Sequence, residues 1–312
     1  MTAVPEPRRP ASAVSGLLLL NKPAGITSNQ ALQRVKRLLN ARKAGHTGSL
    51  DPAATGMLPL CFGEATKICA YLLEADKSYR VTARLGEATD TGDADGTIVE
   101  TAAVPGVTSG DWERIFECFT GDIEQVPPMY SALKKDGKRL YELARQGQVV
   151  ERQARRIRIH EMQLLEARGN RLVFRVRCSK GTYVRTLVED LATAAGTVAH
   201  TAALHRETVG DFLTQDMLDL PSTEKIAAAG PDALREHLIP ADRALQQWPE
   251  QRIGPDAARR FNDGQAVIVG AADTGGGRGH VRVYEDTNGF LGVGELTGDG
   301  VLTPRRIFRA GN

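Results

Sequence analysis

One carboxylate, Asp51, stands in a segment of glycines, prolines and small residues that runs from residue 43 to residue 59. The glycines allow close backbone approaches that a side chain would block, and Pro52 biases Asp51 toward an extended conformation. An aspartate with an ordinary pKa of about 3.9 is ionised at neutral pH, so Asp51 on a stiff loop suits nucleophilic chemistry. An isolated Asp-Pro pair is also a common turn, in which the carboxylate bonds nearby backbone amides. The loop alone leaves both interpretations open.

Periodic segments on either side of this loop predict the elements that position it. Residues 16–20 form an apolar run typical of a buried strand, and Ser28 is a good N-cap for a helix with one apolar face. Residues 58–73 predict a mostly helical segment. Residues 77–85 alternate, which predicts a strand that carries Tyr79 on its apolar face. A tyrosine on such a face is usually part of the core.

The second half of the chain predicts another strand and helix, followed by a change of architecture. Residues 171–178 alternate as a strand, and a turn leads from them into a helix that carries Arg185 near its start and ends before Gly196. Residues 221–245 are typical of a helical connection. From Trp248 onward, short alternating segments with many glycines predict a small β-barrel.

Cations are concentrated between residues 125 and 158, where nine lysines and arginines outnumber three acidic residues. Tyr130 and Tyr141 lie among them, and this combination is typical of a surface that binds phosphates and bases together. A solvated, charged helix would have the same composition. Composition alone does not decide between the two.

Length and composition exclude several classes of protein. A chain of 312 residues is long enough for two domains, and a net charge of +2 confines any nucleic-acid-binding surface to a local patch. The four cysteines lack zinc-binding spacing, which favours a reduced, cytoplasmic compartment. No segment ends in the Gly-Lys-Ser/Thr of a P-loop or has metalloprotease histidine spacing. Residues 1–15 have the composition of a disordered tail, and no apolar run is long enough for a signal peptide or a membrane span.

Six motifs, in a fixed order, resemble the TruB family of tRNA pseudouridine synthases. They are NKPAGITS at residues 21–28, GHTGSLDPAATGMLP at 45–59, KSY at 77–79, the acidic segment 86–96, QVPPMYSA at 125–132 and CSKGTYVRT at 178–186. Ordered motifs across residues 16 to about 206 are more specific than any single match. The end of the chain resembles, more weakly, the PUA-like barrel of bacterial members.

The resemblance implies an α/β (α+β) pseudouridine synthase fold with a mixed, largely antiparallel sheet and helical flanks, followed by a small PUA-like β-barrel. It implies a catalytic domain over residues 16–245, with an RNA-gripping insertion at about residues 127–156, and an RNA-binding domain over residues 246–312. The implied activity is isomerisation of uridine to pseudouridine in the T loop of tRNA, at position 55. The resemblance implies that this reaction needs no cofactor and no metal.

The resemblance also assigns roles to individual residues. Asp51 corresponds to the nucleophile, Arg185 to the arginine that pairs with it, and Tyr79 to a tyrosine that stacks on the target uracil. Whether Asp51 attacks the sugar or the base, or assists a glycal route, stays open. The implied substrate-binding residues are His46, Tyr79, Tyr183 and Leu204, and the implied RNA-binding residues are Lys134, Lys135, Lys138 and Arg139.

The expected partner is the T stem-loop of tRNA, with no membrane, obligatory protein partner or guide RNA, and the expected location is the cytoplasm. Two alternatives stay open. The first is a noncatalytic RNA-binding or RNA-folding protein, against which the intact set of Asp51, Tyr79 and Arg185 argues. The second is a guide-dependent synthase, against which the short chain without long basic tails argues.

Overall fold

The computed structural model describes residues 14–135, 137–230, 232–269, 279–286 and 289–309. Most of the predicted disordered tail, residues 1–15, lies outside the described residues. Val14 is described, and it is buried in an apolar cluster with Leu18 and Phe62. The packed part of the chain therefore includes one residue that the sequence assigns to the tail.

The first part of the chain is built around one large sheet. The strands of this part of the chain are, in order, β1 (Gly16–Lys22), β2 (Ala44–His46), β3 (Thr55–Phe62), β4 (Lys77–Leu85), β5 (Glu87–Thr89), β6 (Ile98–Thr101), β7 (Gly121–Gln125), β8 (Lys134–Lys135), β9 (Lys138–Arg139), β10 (Arg155–Arg168), β11 (Arg171–Cys178), β12 (Ala199–Val209) and β13 (Leu218–Asp219). Among the described residues, nine of them form a sheet in the order β13-β1-β3-β12-β4-β11-β10-β7, with β2 beside β3. Two pairs, β1 with β13 and β3 with β12, are parallel and the others are antiparallel. The sheet is mixed and largely antiparallel, as predicted.

Helices flank this sheet on both faces. The α-helices are α1 (Ser28–Leu38), α2 (Cys69–Glu74), α3 (Ser109–Phe119), α4 (Leu140–Ala144), α5 (Val184–Ala194), α6 (Leu220–Ala228) and α7 (Pro255–Asn262). Helices α3 and α5 cover strands β4, β10 and β11, where they bury Trp112, Phe174 and Leu187 in one core cluster. Helices α1 and α6 pack beside β1 and β3 in a second cluster, which contains Leu20, Val35 and Leu220. None of the helices in the described part of the chain is long and apolar enough to cross a membrane.

The prediction of a mostly helical segment over residues 58–73 is wrong for its first part. Residues 58–62 belong to strand β3, and helical structure begins only with the 3₁₀ turn Gly63–Ile68 and with α2. Every residue of β3 after Thr55 is buried, because β3 lies between β1 and β12 with both faces covered. A strand buried on both faces is apolar throughout, so it lacks the alternation that distinguishes a strand from a buried helix.

The N-cap of α1 is Thr27 rather than the predicted Ser28. The Thr27 hydroxyl accepts a hydrogen bond from the Gln30 amide, and the Gln30 side chain accepts one from the Thr27 amide. This reciprocal capping box satisfies two free donors at the helix start. Ser28 is thereby left to bond a different segment, the loop that carries Asp51.

The end of the chain forms a second, smaller sheet, in agreement with the predicted PUA-like barrel. Its described strands are β14 (Glu250–Ile253), β15 (Val267–Ile268), β16 (Gly279–Glu285), β17 (Phe290–Leu296) and β18 (Val301–Ile307), in the order β14-β16-β17-β18-β15. Helix α7 packs against this sheet through Phe261, and the sequence pattern did not predict this helix. The two sheets are joined by an apolar cluster that includes Leu17, Ile68, Val293 and Phe290.

A buried glycine provides a test of how β3 and β12 pack. Gly56 has a φ of +103°, and a Cβ built there would lie 2.3 Å from the carbonyl oxygen of Arg206. Gly25 also has a positive φ, +82°, but nothing lies within 4 Å of its Cβ position. The two glycines separate backbone strain from steric overlap.

We predict that Gly56→Ala destabilises the protein by roughly 2 to 4 kcal/mol, because strain and backbone overlap add. Gly25→Ala should lower the free energy of unfolding by only about 1 kcal/mol, since it introduces the backbone strain without the steric overlap. Thermal unfolding of both variants beside the parent chain measures the difference. Equal melting temperatures for the two variants would contradict the close approach of β3 and β12.

Candidate active site

The loop that carries Asp51 is fixed by hydrogen bonds to the start of α1 and to the turn before it. The Ser28 hydroxyl donates to the Leu50 carbonyl at 3.1 Å and accepts from the Leu50 amide at 2.8 Å. The Gly25 amide donates to the carbonyl of Pro52 at 2.9 Å. Asp51 lies between the two anchored residues. The stiff platform predicted from the composition of the loop therefore has specific anchors.

Arg185 meets the Asp51 carboxylate from the first turn of α5. Its Nε lies 3.1 Å from Asp51 Oδ2, and its Nη1 lies 3.5 Å from Asp93 Oδ2. Nη1 also donates to the Thr91 carbonyl at 2.6 Å, and Nη2 donates to the Tyr130 carbonyl at 2.7 Å. All three guanidinium nitrogens are therefore engaged, and the planar group is fixed in direction. The Tyr130 contact ties the predicted insertion directly to the site.

The two partners differ in their exposure to solvent. Only 7% of the Arg185 side chain is exposed, whereas 46% of the Asp51 side chain is exposed. Burial raises the pKa of the Asp51 carboxyl above its ordinary value, and the positive charge of Arg185 opposes that shift. Asp51 is thus the solvent-exposed partner of an ion pair whose arginine is buried. Its carboxylate is oriented by Arg185 and remains accessible to a substrate.

A second buried cation, Lys22, binds the backbone of the same loop. It is fully buried at the end of β1, where its ammonium donates to the carbonyls of Pro23, Ile26 and Pro52 at 2.8, 2.8 and 3.2 Å. Burial lowers the pKa of Lys22 to about 8, and the Asp51 charge opposes this shift. The three carbonyls satisfy all three donors of the ammonium. Lys22 therefore fixes the backbone directly after Asp51.

A third buried cation, Arg206, lies on β12 beside Tyr79. Its Nε donates to the Met57 carbonyl at 2.6 Å, and its Nη2 donates to the Gly48 carbonyl at 3.1 Å. Tyr79 is buried on the inner face of β4 and is opposite Arg206 in the strand register. Burial raises the pKa of the Tyr79 phenol, while hydrogen bonding and charge from Arg206 oppose the shift. Tyr79 is both a core residue and a neighbour of the site.

Tyr183 and Leu204 lie on different elements around this centre. The backbone of Tyr183, just before α5, exchanges two hydrogen bonds with the Gln125 side chain, at 2.8 and 3.1 Å. Burial raises the pKa of the Tyr183 phenol; the charge of Arg185 opposes this shift, and the charge of Asp51 adds to it. Leu204 is half-buried on β12 and packs against the core cluster that contains Tyr79. Leu204 therefore packs against the core cluster of Tyr79, and the Tyr183 phenol lies within range of the Asp51 charge.

His46 is at the end of β2, before the Asp51 loop. Its Nδ1 is buried and has no hydrogen-bond partner among the described residues. Burial lowers the pKa of the ring, and the nearby positive charge of Arg206 adds to the shift. Neutral imidazole is therefore favoured. The structure places His46 near Arg206 and shows no direct contact between His46 and Asp51.

The four predicted RNA-binding cations form a two-stranded hairpin, here called the basic hairpin: Lys134, Lys135, Lys138 and Arg139. Lys134 pairs with Arg139 and Lys135 pairs with Lys138 across β8 and β9, and all four are exposed. Like charges directly opposite each other destabilise a strand pair. Lys135 donates to a backbone carbonyl, that of Glu151 at 3.0 Å, rather than to a carboxylate. The hairpin therefore presents concentrated positive charge to solvent.

Three residues of the site were missed as functional candidates: Lys22, Asp93 and Arg206. Lys22 had a signal in the sequence, because a lysine directly after a run of buried apolar residues requires a buried partner. Asp93 belongs to the acidic segment but could not be distinguished from its acidic neighbours. Arg206 had no signal, since its partners are carbonyls more than a hundred residues earlier. The described residues contain no group of three or more His, Cys, Asp or Glu side chains that could hold a metal ion.

Three family models match consecutive parts of the chain. The N-terminal domain of the TruB family pseudouridylate synthases matches residues 36–184. The tRNA pseudouridylate synthase B C-terminal domain matches residues 185–246, and the C-terminal model of pseudouridine synthase II TruB matches residues 249–308. The matches begin at residue 36, so they include Asp51, Tyr79 and Arg185 but not strand β1 or most of helix α1.

Curated relatives and solved structures agree with these matches. The chain is 50% identical to tRNA pseudouridine synthase B of Nitrosococcus oceani over 294 residues, which are 94% of each chain. It is 50% identical to the protein of that name from Pseudomonas paraeruginosa, over 96% of this chain and 97% of the relative. A Cbf5-Nop10-Gar1 complex contains a chain with a similar fold, at a TM-score of 0.73 and 24% identity over 94% of this chain and 85% of that one. The chain therefore belongs to the TruB family of pseudouridine synthases.

Proposed function

We propose that this protein isomerises uridine to pseudouridine in tRNA, at position 55 of the T loop. The observation that carries the proposal is the ion pair of Asp51 with a buried Arg185, at 3.1 Å, on a loop anchored from both sides. The curated relatives, at 50% identity over nearly the full chain, are named as tRNA pseudouridine synthases. A half-exposed, oriented carboxylate is the reactive group that this conversion requires.

The reaction rearranges one nucleotide without an external reactant. The bond between uracil N1 and ribose C1′ breaks, the base rotates, and a bond forms between C5 and C1′. The C5 proton is lost and N1 gains a proton, so atoms and electrons balance within the substrate and water. Asp51 acts as the nucleophile toward the sugar or the base, or assists a glycal route, and Arg185 holds it ionised and oriented.

The neighbouring side chains would bind the displaced uridine. A base inside the folded tRNA must be turned out of its stack before a carboxylate can reach its sugar, at a cost of a few kcal/mol. In this proposal Tyr79 stacks on the uracil and assists proton removal, and Tyr183 and Leu204 line the uridine pocket. His46, held neutral, supports the extruded nucleotide. Contacts along the rest of the tRNA offset the cost of extrusion.

Those contacts would come from the basic hairpin, within an insertion at about residues 127–156, and from the second domain at residues 246–312. The exposed cations of the hairpin form no ion pair with any acidic residue that the structure describes, and such cations suit phosphate binding. The catalytic domain, residues 16–245, would then hold the whole reactive centre. We propose that it acts on tRNA in the cytoplasm without a guide RNA or an obligatory protein partner.

The alternative is a noncatalytic RNA-binding protein. It would bind tRNA in the same groove and leave the uridine unchanged. Tritium at uracil C5 distinguishes the two, because only isomerisation releases it to water. The following two substitutions make the same distinction at the level of single residues.

Asp51→Asn should reduce tritium release by at least about 10³-fold, because an amide of the same shape cannot act as the nucleophile. Binding of tRNA should change little, since the substitution preserves the loop. Release is measured with saturating C5-tritiated tRNA, and binding is measured by filter retention. Appreciable turnover by Asp51→Asn would refute the assignment.

Arg185→Lys should reduce turnover by about 10²-fold, because one ammonium cannot reach the four acceptors that the fixed guanidinium contacts. Arg114→Lys is the matched control, since Arg114 is exposed and pairs with Asp111 at 3.0 Å on α3. The same release assay applies to both variants, with melting temperatures recorded to verify folding. If Arg185→Lys turned over tRNA as fast as Arg114→Lys, Arg185 would have no place in the site.

A further inference from the structure

A second concentration of positive charge lies on and just after helix α1, outside the basic hairpin. Between Lys22 and Glu64 the sequence contains a single acidic residue, Asp51. The same stretch contains five cations within ten residues, at the end of α1 and in the turn after it: Arg34, Lys36, Arg37, Arg42 and Lys43. We call these five residues the α1 basic surface.

The solvent side of α1 offers only side chains that suit an anion. Four of the five cations are exposed and Lys36 is half-exposed. The other exposed residues of the helix, Asn29, Gln30 and Gln33, are amides. Arginine, lysine, asparagine and glutamine are the side chains that commonly contact the nucleic-acid backbone. The helix has no carboxylate on this side.

No described acidic residue forms an ion pair with any of the five cations. Arg37 donates from Nε to the carbonyl of Gln33, one turn earlier in the same helix. Glu64 is close enough for the Lys43 charge to lower its pKa, but Glu64 contacts Lys67. Elsewhere on the surface, exposed arginines such as Arg114 and Arg171 do have carboxylate partners. Like the cations of the basic hairpin, these five side chains have no ion pair with a described carboxylate.

Helix electrostatics explain only part of this arrangement. Lys36 and Arg37 lie in the last turn of α1, where the helix dipole favours cations. Arg34 is one turn earlier and repels Arg37 at the i, i+3 spacing, which is destabilising. Arg42 and Lys43 lie beyond the helix. An external anion accounts for all five charges at once.

Helix α1 connects this surface to the catalytic loop. Ser28, at the start of the helix, bonds Leu50 directly, one residue before Asp51. Lys43, beyond its other end, accepts a hydrogen bond from the Gly63 amide and leads into β2. A helix of eleven residues is about 16 Å long, enough to follow several phosphates of a strand. The cations therefore lie about one helix length along α1 from the contact with the catalytic loop.

We propose that the α1 basic surface binds phosphates of the substrate tRNA, as a second anion-binding surface besides the basic hairpin. This inference rests on the proposed function, because the tRNA substrate comes from it. The role is in binding only, since none of the five cations contacts Asp51, Arg185 or Tyr79. The phosphates bound are those of the strand that leads to or from the target uridine.

Two double variants test the surface: Arg34→Gln with Arg37→Gln, and Arg42→Gln with Lys43→Gln. Glutamine keeps the helix propensity of arginine and the length of the side chain. Each double variant should bind tRNA at least about threefold more weakly at 0.1 M salt. The slope of log K against log[salt] should fall in magnitude by about 0.7 to 0.9 for each lost phosphate contact. Turnover at saturating tRNA should stay within about threefold of the parent.

The matched control is Arg114→Gln with Arg171→Gln, which removes the same charge from exposed arginines that already have carboxylate partners. A basic-hairpin variant, Lys134→Ala with Lys138→Ala, is measured in parallel. Its loss of tRNA-binding free energy should add to that of an α1 variant when the two are combined, because the two surfaces are separate. Binding is measured in the Asp51→Asn background, so that no product forms. If both α1 variants matched the control in affinity and slope, the proposal would be overturned. That outcome leaves tritium release by the parent chain unchanged, whereas failure of the proposed function would abolish it.

Discussion

A buried guanidinium that cannot lose its charge is the constraint on which the site depends. Arginine stays protonated in proteins, so Arg185 must find acceptors for its donors wherever the fold buries it. It finds carboxylates on Asp51 and Asp93 and carbonyls on Thr91 and Tyr130. These acceptors come from three separate segments, which Arg185 joins at one point. Nε has its acceptor on Asp51 and Nη2 has its acceptor on the Tyr130 carbonyl, so losing either acceptor atom would leave a donor of the buried guanidinium without compensation.

The catalytic loop gains its shape from cations that bind its backbone. Lys22 binds the Pro52 carbonyl, and Arg206 binds the Gly48 carbonyl, on either side of Asp51. Both cations are almost fully buried and extend from strands of the large sheet. The loop therefore takes its position from the sheet through charge-assisted hydrogen bonds, which are stronger than neutral ones. Glycines and prolines permit this backbone conformation, and the cations select it.

The sequence predicted those parts of the fold and site in which a local pattern has one structural solution. Alternation over residues 77–85 placed Tyr79 correctly on the inner face of β4, because one face of that strand is buried. The continuous apolar run of β3 did not distinguish a strand from a helix, since both its faces are covered. The partners of Arg206 are 149 and 158 positions away in the chain, and no local pattern records such a contact. The role of Asp51 came from a family resemblance, and the chemistry of one loop could not have decided it.

The most direct test of the account is a map of pseudouridine along tRNA incubated with the purified chain alone. No guide RNA, protein partner, cofactor or metal is added, and the tRNA is an unmodified transcript. We predict a single new pseudouridine, in the T loop at position 55, because one anchored carboxylate acts on one extruded uridine. A map with no pseudouridine, or with pseudouridine only at other positions, would contradict it.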